Sequence, residues 1–143
     1  MKKFIPLLFV SLLLACNKDK FETKPQIEIQ SYNTKVVPNQ GVLTINLKFT
    51  DKEGDLGNGE FTYEPISLNR RPLPSGQEYG PVTLPIPEFS DHNKGEFELN
   101  MLYRDLHKRD IENDTIKFKF SVVDRAGNKS DTIQSDQIVI LRQ

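Results

Sequence analysis

The stretch DTIKFKFSVV, residues 114–123, decides the fold class of this chain. From residue 116 onward every second position carries a large apolar side chain, and the positions between them are polar. The apolar positions are Ile116, Phe118, Phe120 and Val122, and the polar ones are Thr115, Lys117, Lys119 and Ser121. Because successive side chains of a β-strand point to opposite faces, this period of two predicts a strand with one buried face.

The same alternation recurs in two earlier segments of the chain. GVLTINLKFT at residues 41–50 and EFELNMLY at residues 96–103 each place four apolar side chains on one face. A helical spacing of apolar residues is not sustained anywhere beyond a single turn near RDLHKRD, residues 104–110. The sequence therefore predicts an all-β domain, with strands near residues 26–32, 41–50, 60–68, 81–88, 95–103, 114–124 and 131–141.

Glycine and proline mark the connections between these strands. DHNKGEF at residues 91–97 predicts a short hairpin with Gly95 in the left-handed region, and DRAGNKSD at 124–131 predicts another around Gly127 and Asn128. Six of the nine prolines fall in residues 65–87, which must be edge strand or loop because proline cannot donate to a sheet ladder. Seven short strands with such turns favour an antiparallel sandwich.

Two segments resemble known families. FSVVDRAGNKSDTI, residues 120–133, resembles the last pair of strands in bacterial immunoglobulin-like domains, where an AGN turn joins them. FTDKEGDLG, residues 49–57, is similar to a segment of small Bacteroidetes lipoproteins, although Glu53 stands where aspartate is more usual. The resemblance implies an immunoglobulin-like β-sandwich over residues 26–143.

The N-terminal stretch MKKFIPLLFVSLLLACNKDK has a different character. Lys2 and Lys3 precede an apolar run at 4–14, which is the pattern of a secretory signal and is shorter than the roughly 20 residues of a membrane span. Leu13-Leu14-Ala15-Cys16 then resembles the lipobox of bacterial lipoproteins. That resemblance implies a signal peptide at 1–15, a lipidated N-terminus and tether at 16–25, and cleavage before Cys16. The alternative is a signal-peptide cysteine with no role of its own.

Cysteine usage and the flanking residues bear on the membrane. Cys16 is the only cysteine, so a disulfide within one chain is impossible. Asn17 is not the aspartate associated with inner-membrane retention, and Lys18-Asp19 partly matches surface-export tags of Bacteroidetes lipoproteins. We expect a lipid anchor in the cell outer membrane, with the periplasmic or the surface side left open.

Charge and motifs argue against nucleic-acid binding and against catalysis. Nineteen Lys and Arg against 20 Asp and Glu leave a net charge of −1, without the basic excess that nucleic-acid binding requires. His92 and His107 are the only histidines and lack metal-ligand spacing. The chain carries neither a phosphate-binding glycine loop nor a nucleophile elbow. We predict a non-enzymatic protein with no catalytic residues.

The remaining function class is binding. Tyr79 lies among glycines and prolines and is expected to be exposed, so Tyr79, Arg70 and Arg71 are candidate ligand-contact residues. The simpler interpretation, which we favour, is an aromatic cap on the sandwich rim beside a solvated charged edge. We expect an envelope binding or scaffolding module whose partners are envelope proteins or glycans. The alternative is a surface lipoprotein that captures glycans or other substrates, although the chain has no tryptophan to stack on a sugar.

TDKEGDLGNGEF, residues 50–61, raises the question of calcium. An EF-hand beginning at Asp51 would need glycine sixth and glutamate twelfth, where the chain has Leu56 and Thr62. An immunoglobulin-like order nevertheless places the loops after the second, fourth and sixth predicted strands at one pole. The oxygen ligands of those loops are Asp51, Glu53, Asp55, Asp91, Asp124 and Asn128.

A plain charged turn is the competing interpretation of the same loops, and the sequence favours it. Four cations lie in the same loops and could neutralise the acids without a metal: Lys52, Lys94, Arg125 and Lys129. We therefore predict no cofactor, with calcium as the alternative.

Overall fold

A computed structural model describes residues 24–143 of the chain. The predicted signal peptide, Cys16 and most of the predicted tether lie outside these residues. The elements in order are β1 (Gln26–Tyr32), β2 (Val36–Val37), β3 (Val42–Thr50), β4 (Glu60–Ser67), β5 (Val82–Pro85), β6 (Lys94–Leu102), α1 (Tyr103–Leu106), β7 (Asp114–Val123), β8 (Ile133–Gln134) and β9 (Ile138–Ile140). No helix in this part of the chain is long and apolar enough to cross a bilayer.

The strands form two sheets. One has the order β1-β3-β6, and the other has the order β2-β9-β7-β4-β5, with β8 also paired to β7. All pairs are antiparallel except β2 with β9, which is parallel. One sheet contains β1, β3 and β6, and the other contains β4, β7 and β9, which is the distribution of an immunoglobulin-like sandwich. The predicted fold class is confirmed.

The core lies between the inward rows of the two sheets. Phe118 and Phe120 of β7 are fully buried, and their rings stack with centroids 5.8 Å apart. Leu43, Ile45 and Leu47 of β3 are also fully buried in the facing sheet. These are the apolar positions of the alternating patterns, so the sequence indicated the correct faces for both central strands.

The last predicted strand, 131–141, is two strands with a break between them. At the break the Ser135 hydroxyl accepts a hydrogen bond from the amide of Phe118 at 2.8 Å, and it donates to the Asp136 carbonyl at 2.6 Å. A side chain therefore substitutes for the ladder at the break, where the register with β7 shifts between β8 and β9. The two-residue strand β2 was not predicted, because two residues cannot display a period.

The hairpin predicted at residues 91–97 is wrong. β5 and β6 belong to different sheets, so the segment between them crosses the sandwich instead of reversing within one sheet. Gly95 lies inside β6 and is not among the positive-φ glycines. The Phe49 ring occupies the space that a Cβ at Gly95 would need, so this glycine serves close packing. The hairpin at 124–131 is confirmed, with Gly127 at φ 87°.

Candidate metal centre

Three loops meet at the pole of the sandwich where the described chain begins. They are residues 51–59, 86–93 and 124–132, and we call this end the acidic pole. Backbone hydrogen bonds join them: the Asp51 amide donates to Asn93, the Asn58 amide to Ile86, and the Arg125 amide to Asp55. Lys24 also lies at this pole, with its ammonium 3.4 Å from Asp131. The strand order had predicted this meeting of loops.

Local packing explains why the first loop lies against the third. Leu56 is fully buried and anchors the loop in the core. Gly59 packs so closely on the end of β7 that a Cβ there would clash with the Val123 carbonyl oxygen. Gly54 turns the chain at φ 71°, a conformation that costs glycine little. Asp51 and Asp55 are thereby directed toward the end of β7, where Asp124 lies.

Three carboxylates converge as a result, and we call them the acidic cluster: Asp51, Asp55 and Asp124. Each offers an oxygen that lies within 4.8 Å of an oxygen of the other two. Asp51 is 2% exposed and Asp124 is 4% exposed, so two of the three charges are almost completely removed from water. Buried charges are costly unless they are paired.

Asp51 and Asp124 are each fixed by their own loop. The Asp51 carboxylate accepts the amides of Glu53 at 3.3 Å and Asp55 at 2.9 Å. The Asp124 carboxylate accepts the backbone amide of Asn128 at 2.7 Å and its side-chain amide at 2.9 Å. These contacts hold the oxygens in place with neutral donors and supply no positive charge.

Asp55 completes the cluster and lacks such support. Its Oδ1 is buried and has no hydrogen-bond partner among residues 24–143. Burial raises the pKa of the Asp55 carboxyl above its ordinary value, and the nearby charges of Asp124 and Asp51 raise that pKa further. The Asp55 carboxyl therefore holds a proton more readily than an ordinary aspartate does.

Three of the four cations expected to neutralise these acids form no ion pair with them within the described residues. Lys94 pairs with the exposed Asp91 at 3.8 Å. Within the described residues, no ion pair of 4.0 Å or less joins Lys94, Arg125 or Lys129 to the acidic cluster. These three cations therefore do not support the interpretation of residues 50–61 as a turn whose acids are neutralised by nearby cations.

The other three predicted metal ligands lie outside the cluster. Glu53 and Asp91 are exposed, and Asp91 accepts the backbone amide of Asn93 at 3.1 Å. Asn128 holds Asp124 through its side-chain amide. Three carboxylates from two loops are hard oxygen ligands of the type that calcium takes, with carbonyl oxygens or water completing a set of about six to eight.

The candidate ligand-contact residues lie at the opposite pole. Tyr79 was expected to be exposed, and this is wrong: it is half-buried against the core, and its hydroxyl donates to the Leu106 carbonyl at 2.6 Å. Burial raises the pKa of this phenol. This hydrogen bond holds the proline-rich loop against α1. Arg70 and Arg71 are exposed on the same loop.

A buried ion pair at this opposite pole was missed. Arg109 is 3% exposed and Asp114 is fully buried, with the guanidinium Nε 3.2 Å from the carboxylate Oδ1. Arg109 also donates to the Pro72 carbonyl at 3.0 Å and to the Ser67 hydroxyl at 3.2 Å. In the sequence Arg109 stands in a polar run, RDLHKRD, and nothing distinguishes it from its solvated neighbours.

Comparisons with known proteins add little to this description. No protein-family model matches the sequence, and no curated protein does. The chain is similar in structure to the major pilin subunit BcpA of Bacillus cereus, at 15% identity over 84% of this chain, with a TM-score of 0.43. It spans about two fifths (41%) of that pilin.

Two further solved structures are similar to a comparable degree. The soluble domain of PmoD from Methylocystis is 16% identical over 80% of this chain and 89% of its own, with a TM-score of 0.37. A β-glucosidase from Listeria innocua, in complex with gluconolactone, is 9% identical over 79% of this chain and 16% of its own, with a TM-score of 0.38. At these scores none of the three carries an argument about function.

Proposed function

We propose that the protein is a non-enzymatic binding or scaffolding module held in the cell envelope by lipid on Cys16. The observation that carries the proposal is the stretch Leu13-Leu14-Ala15-Cys16 after an apolar run, followed within ten residues by the first strand of a sandwich. Two or more acyl chains make a durable anchor, because each buried methylene adds about 0.8 kcal/mol. The outer membrane is the proposed location.

The tether would set the orientation of the domain. Seven residues, 17–23, lie between Cys16 and Lys24, so Lys24 is at most about 30 Å from Cys16 even when the chain is fully extended. Lys24 belongs to the acidic pole through its contact with Asp131. A lipid on Cys16 would therefore keep the acidic pole near the membrane and leave the opposite pole, with Arg70 and Arg71, facing away.

Replacement of the cysteine tests the anchor. Cys16→Ala should abolish incorporation of a clickable fatty acid and release the protein from the membrane fraction, because the chain has no other cysteine to carry the lipid. Lys18→Ala is the matched control and should retain both label and membrane. Label that persists on Cys16→Ala would overturn the proposal. Recovery of envelope proteins in a crosslinked pull-down would favour scaffolding. Specific binding on a glycan array would favour glycan capture.

We propose in addition that the acidic cluster binds calcium. The specific observation in favour is the buried Asp55 Oδ1, which lies beside two buried carboxylates and lacks a hydrogen-bond partner within residues 24–143. A divalent cation there would neutralise charge with which Lys94, Arg125 and Lys129 form no ion pair among the described residues.

Calorimetric titration tests the calcium proposal. The wild-type chain should bind one calcium ion, Asp55→Asn should lose binding, and Asp91→Asn should retain it because Asp91 is exposed and outside the cluster. Binding that survives Asp55→Asn, or that is lost in Asp91→Asn, would contradict this location. An absence of heat at millimolar calcium would contradict the proposal itself.

A further inference from the structure

The two sheets of the sandwich do not end together on the side of β5 and β6. The Phe97 ring of β6 packs edge-on against the Phe61 ring of β4, with centroids 4.9 Å apart, so β6 lies across from β4. In its own sheet β4 has a further neighbour, β5. The sheet that contains β5 therefore extends one strand beyond β6.

The inner face of β5 is uncovered as a consequence. Leu84 lies directly opposite Phe61 in the β4–β5 register, and Val82 lies opposite Tyr63. Residues directly opposite each other share one face of a sheet, and Phe61 is in the core, so Leu84 and Val82 also face inward. They are nevertheless 41% and 38% exposed. A strand beside β6 would lie over them, since neighbouring strands are about 4.8 Å apart.

The outer edge of β6 is suited to accept such a strand. All nine residues of β6 pair with β3 in an unbroken register, and within residues 24–143 no strand pairs with its other edge. Edge strands are usually protected by bulges, prolines or short length. β1 has an irregularity between Ile29 and Ser31, and β5 has four residues with Pro81 and Pro85 at its ends. β6 has no bulge and no proline and is nine residues long, so charged side chains are its one protection.

Charge indicates what kind of strand would fit. The outward row of β6 is exposed throughout, and its two acids outnumber its one lysine: Lys94, Glu96, Glu98, Asn100 and Leu102. In the fully overlapped antiparallel pairing of two β6 strands, Glu98 of each copy would lie opposite Glu98 of the other. Like charges directly opposite each other destabilise a sheet. The edge therefore disfavours a second copy and favours a basic strand.

We propose that β6 binds an extended segment of a partner polypeptide in which apolar and basic residues alternate. The apolar side chains would cover Val82 and Leu84, and the basic side chains would lie beside Glu96 and Glu98, while the main chain pairs with the free edge. This inference deepens the proposed binding function and rests on it, but it does not depend on the lipid anchor.

A synthetic probe tests the proposal on the full-length chain in detergent micelles. The probe is a fluorescent nine-residue peptide of alternating lysine and valine, and its binding is followed by anisotropy. Glu96→Lys with Glu98→Lys should weaken binding about tenfold or more, since each cross-strand charge pair contributes up to about 1 kcal/mol. The control Glu60→Lys with Glu64→Lys changes the charge equally on the outer face of β4 and should bind like the wild type.

A second pair of variants tests the inner face without changing charge. Leu84→Gln should weaken binding several-fold, because it removes the apolar surface that the peptide would bury. Leu68→Gln, at 43% exposure in a loop at the opposite pole, is the matched control and should have no effect. Hydrogen exchange of the β6 amides should slow when the probe is bound.

Four outcomes would overturn the proposal: no binding at millimolar probe, equal binding of a glutamate–valine peptide, equal loss in both double variants, or protein dimers whose contact protects β6. The peptide-binding measurement needs no lipid on Cys16, so its result does not depend on whether Cys16→Ala releases the protein from the membrane. Failure of the anchor and failure of the β6 edge are therefore distinguishable.

Discussion

Buried carboxylates have different partners at the two poles of the sandwich. At the pole away from Lys24, Asp114 is fully buried, and its carboxylate meets the Arg109 guanidinium and the backbone amides of Lys108 and Arg109. At the acidic pole, Asp51 and Asp124 are almost as deeply buried, yet their partners are neutral amides.

The difference shows at which pole a side chain of the described residues supplies positive charge to a buried carboxylate. Removing a carboxylate from water costs several kcal/mol unless a positive charge and hydrogen bonds compensate. Arg109 provides that compensation for Asp114. Within residues 24–143 the three carboxylates of the acidic cluster form no ion pair of 4.0 Å or less with Lys94, Arg125 or Lys129, so we expect the ionised cluster to bind a cation from solution.

Truncation of a core side chain between the poles sets the loss of unfolding free energy with which the other variants are compared. Phe118→Ala or Phe120→Ala should cost about 3–5 kcal/mol in urea unfolding, because both side chains are fully buried on the central strand β7. Typical domains have about 5–15 kcal/mol in total. A loss below about 1 kcal/mol would mean that the inward row is assigned to the wrong face.

Arg109→Ala should have a comparable effect at the pole away from Lys24. It leaves Asp114 buried without its guanidinium, which typically costs about 3–5 kcal/mol. Glu112→Ala is the control: it removes the half-exposed partner of Arg109, and an exposed pair contributes about 0–1 kcal/mol. Equal effects of the two variants in urea unfolding would remove the contrast between the poles.

At the acidic pole, Asp55→Asn should stabilise the folded domain instead of destabilising it. In the presence of chelator it removes one of three crowded charges, so the thermal midpoint should rise, whereas Asp114→Asn should lower it. A midpoint that falls in Asp55→Asn under chelator would show that the cluster is already neutralised by the chain.

The pH dependence should follow from Asp55 as well. Its pKa in the folded state is raised above the ordinary value of 3.8, so the folded state holds the proton more tightly than the unfolded chain. Its contribution therefore favours folding below about pH 4 and is lost as the pH rises through the raised pKa. In chelator, the gap between the wild-type and Asp55→Asn midpoints should widen from pH 3 to pH 7. A constant gap would contradict this.

Much of the fold could be predicted because it is encoded locally. Alternation marked β3, β6 and β7 with the correct buried faces, since a period of two is visible in nine or ten residues. The shift between β8 and β9 depends on the Ser135 hydroxyl reaching the Phe118 amide, a contact between residues 17 positions apart. Gly95 was misinterpreted because close packing against Phe49 and a left-handed turn both select glycine.

The site was predictable in part for the same reason. Strand order indicated that the loops with Asp51, Asp55 and Asp124 share a pole. It could not indicate that Glu53 points to solvent while Asp55 turns inward, because that depends on Gly54 at positive φ and on Leu56 entering the core. Tyr79 was misplaced because the return of its loop depends on a hydrogen bond to Leu106, which no local pattern reveals.

Thermal unfolding with calcium and again with chelator tests the contrast between the poles most directly. If calcium binds the folded state alone, a concentration of 100 times its dissociation constant should stabilise the wild type by about 2.7 kcal/mol. Asp91→Asn should show the same increase in midpoint, and Asp55→Asn should show none. Identical midpoints of the wild type in calcium and in chelator would contradict the account and leave residues 50–61 as a charged turn.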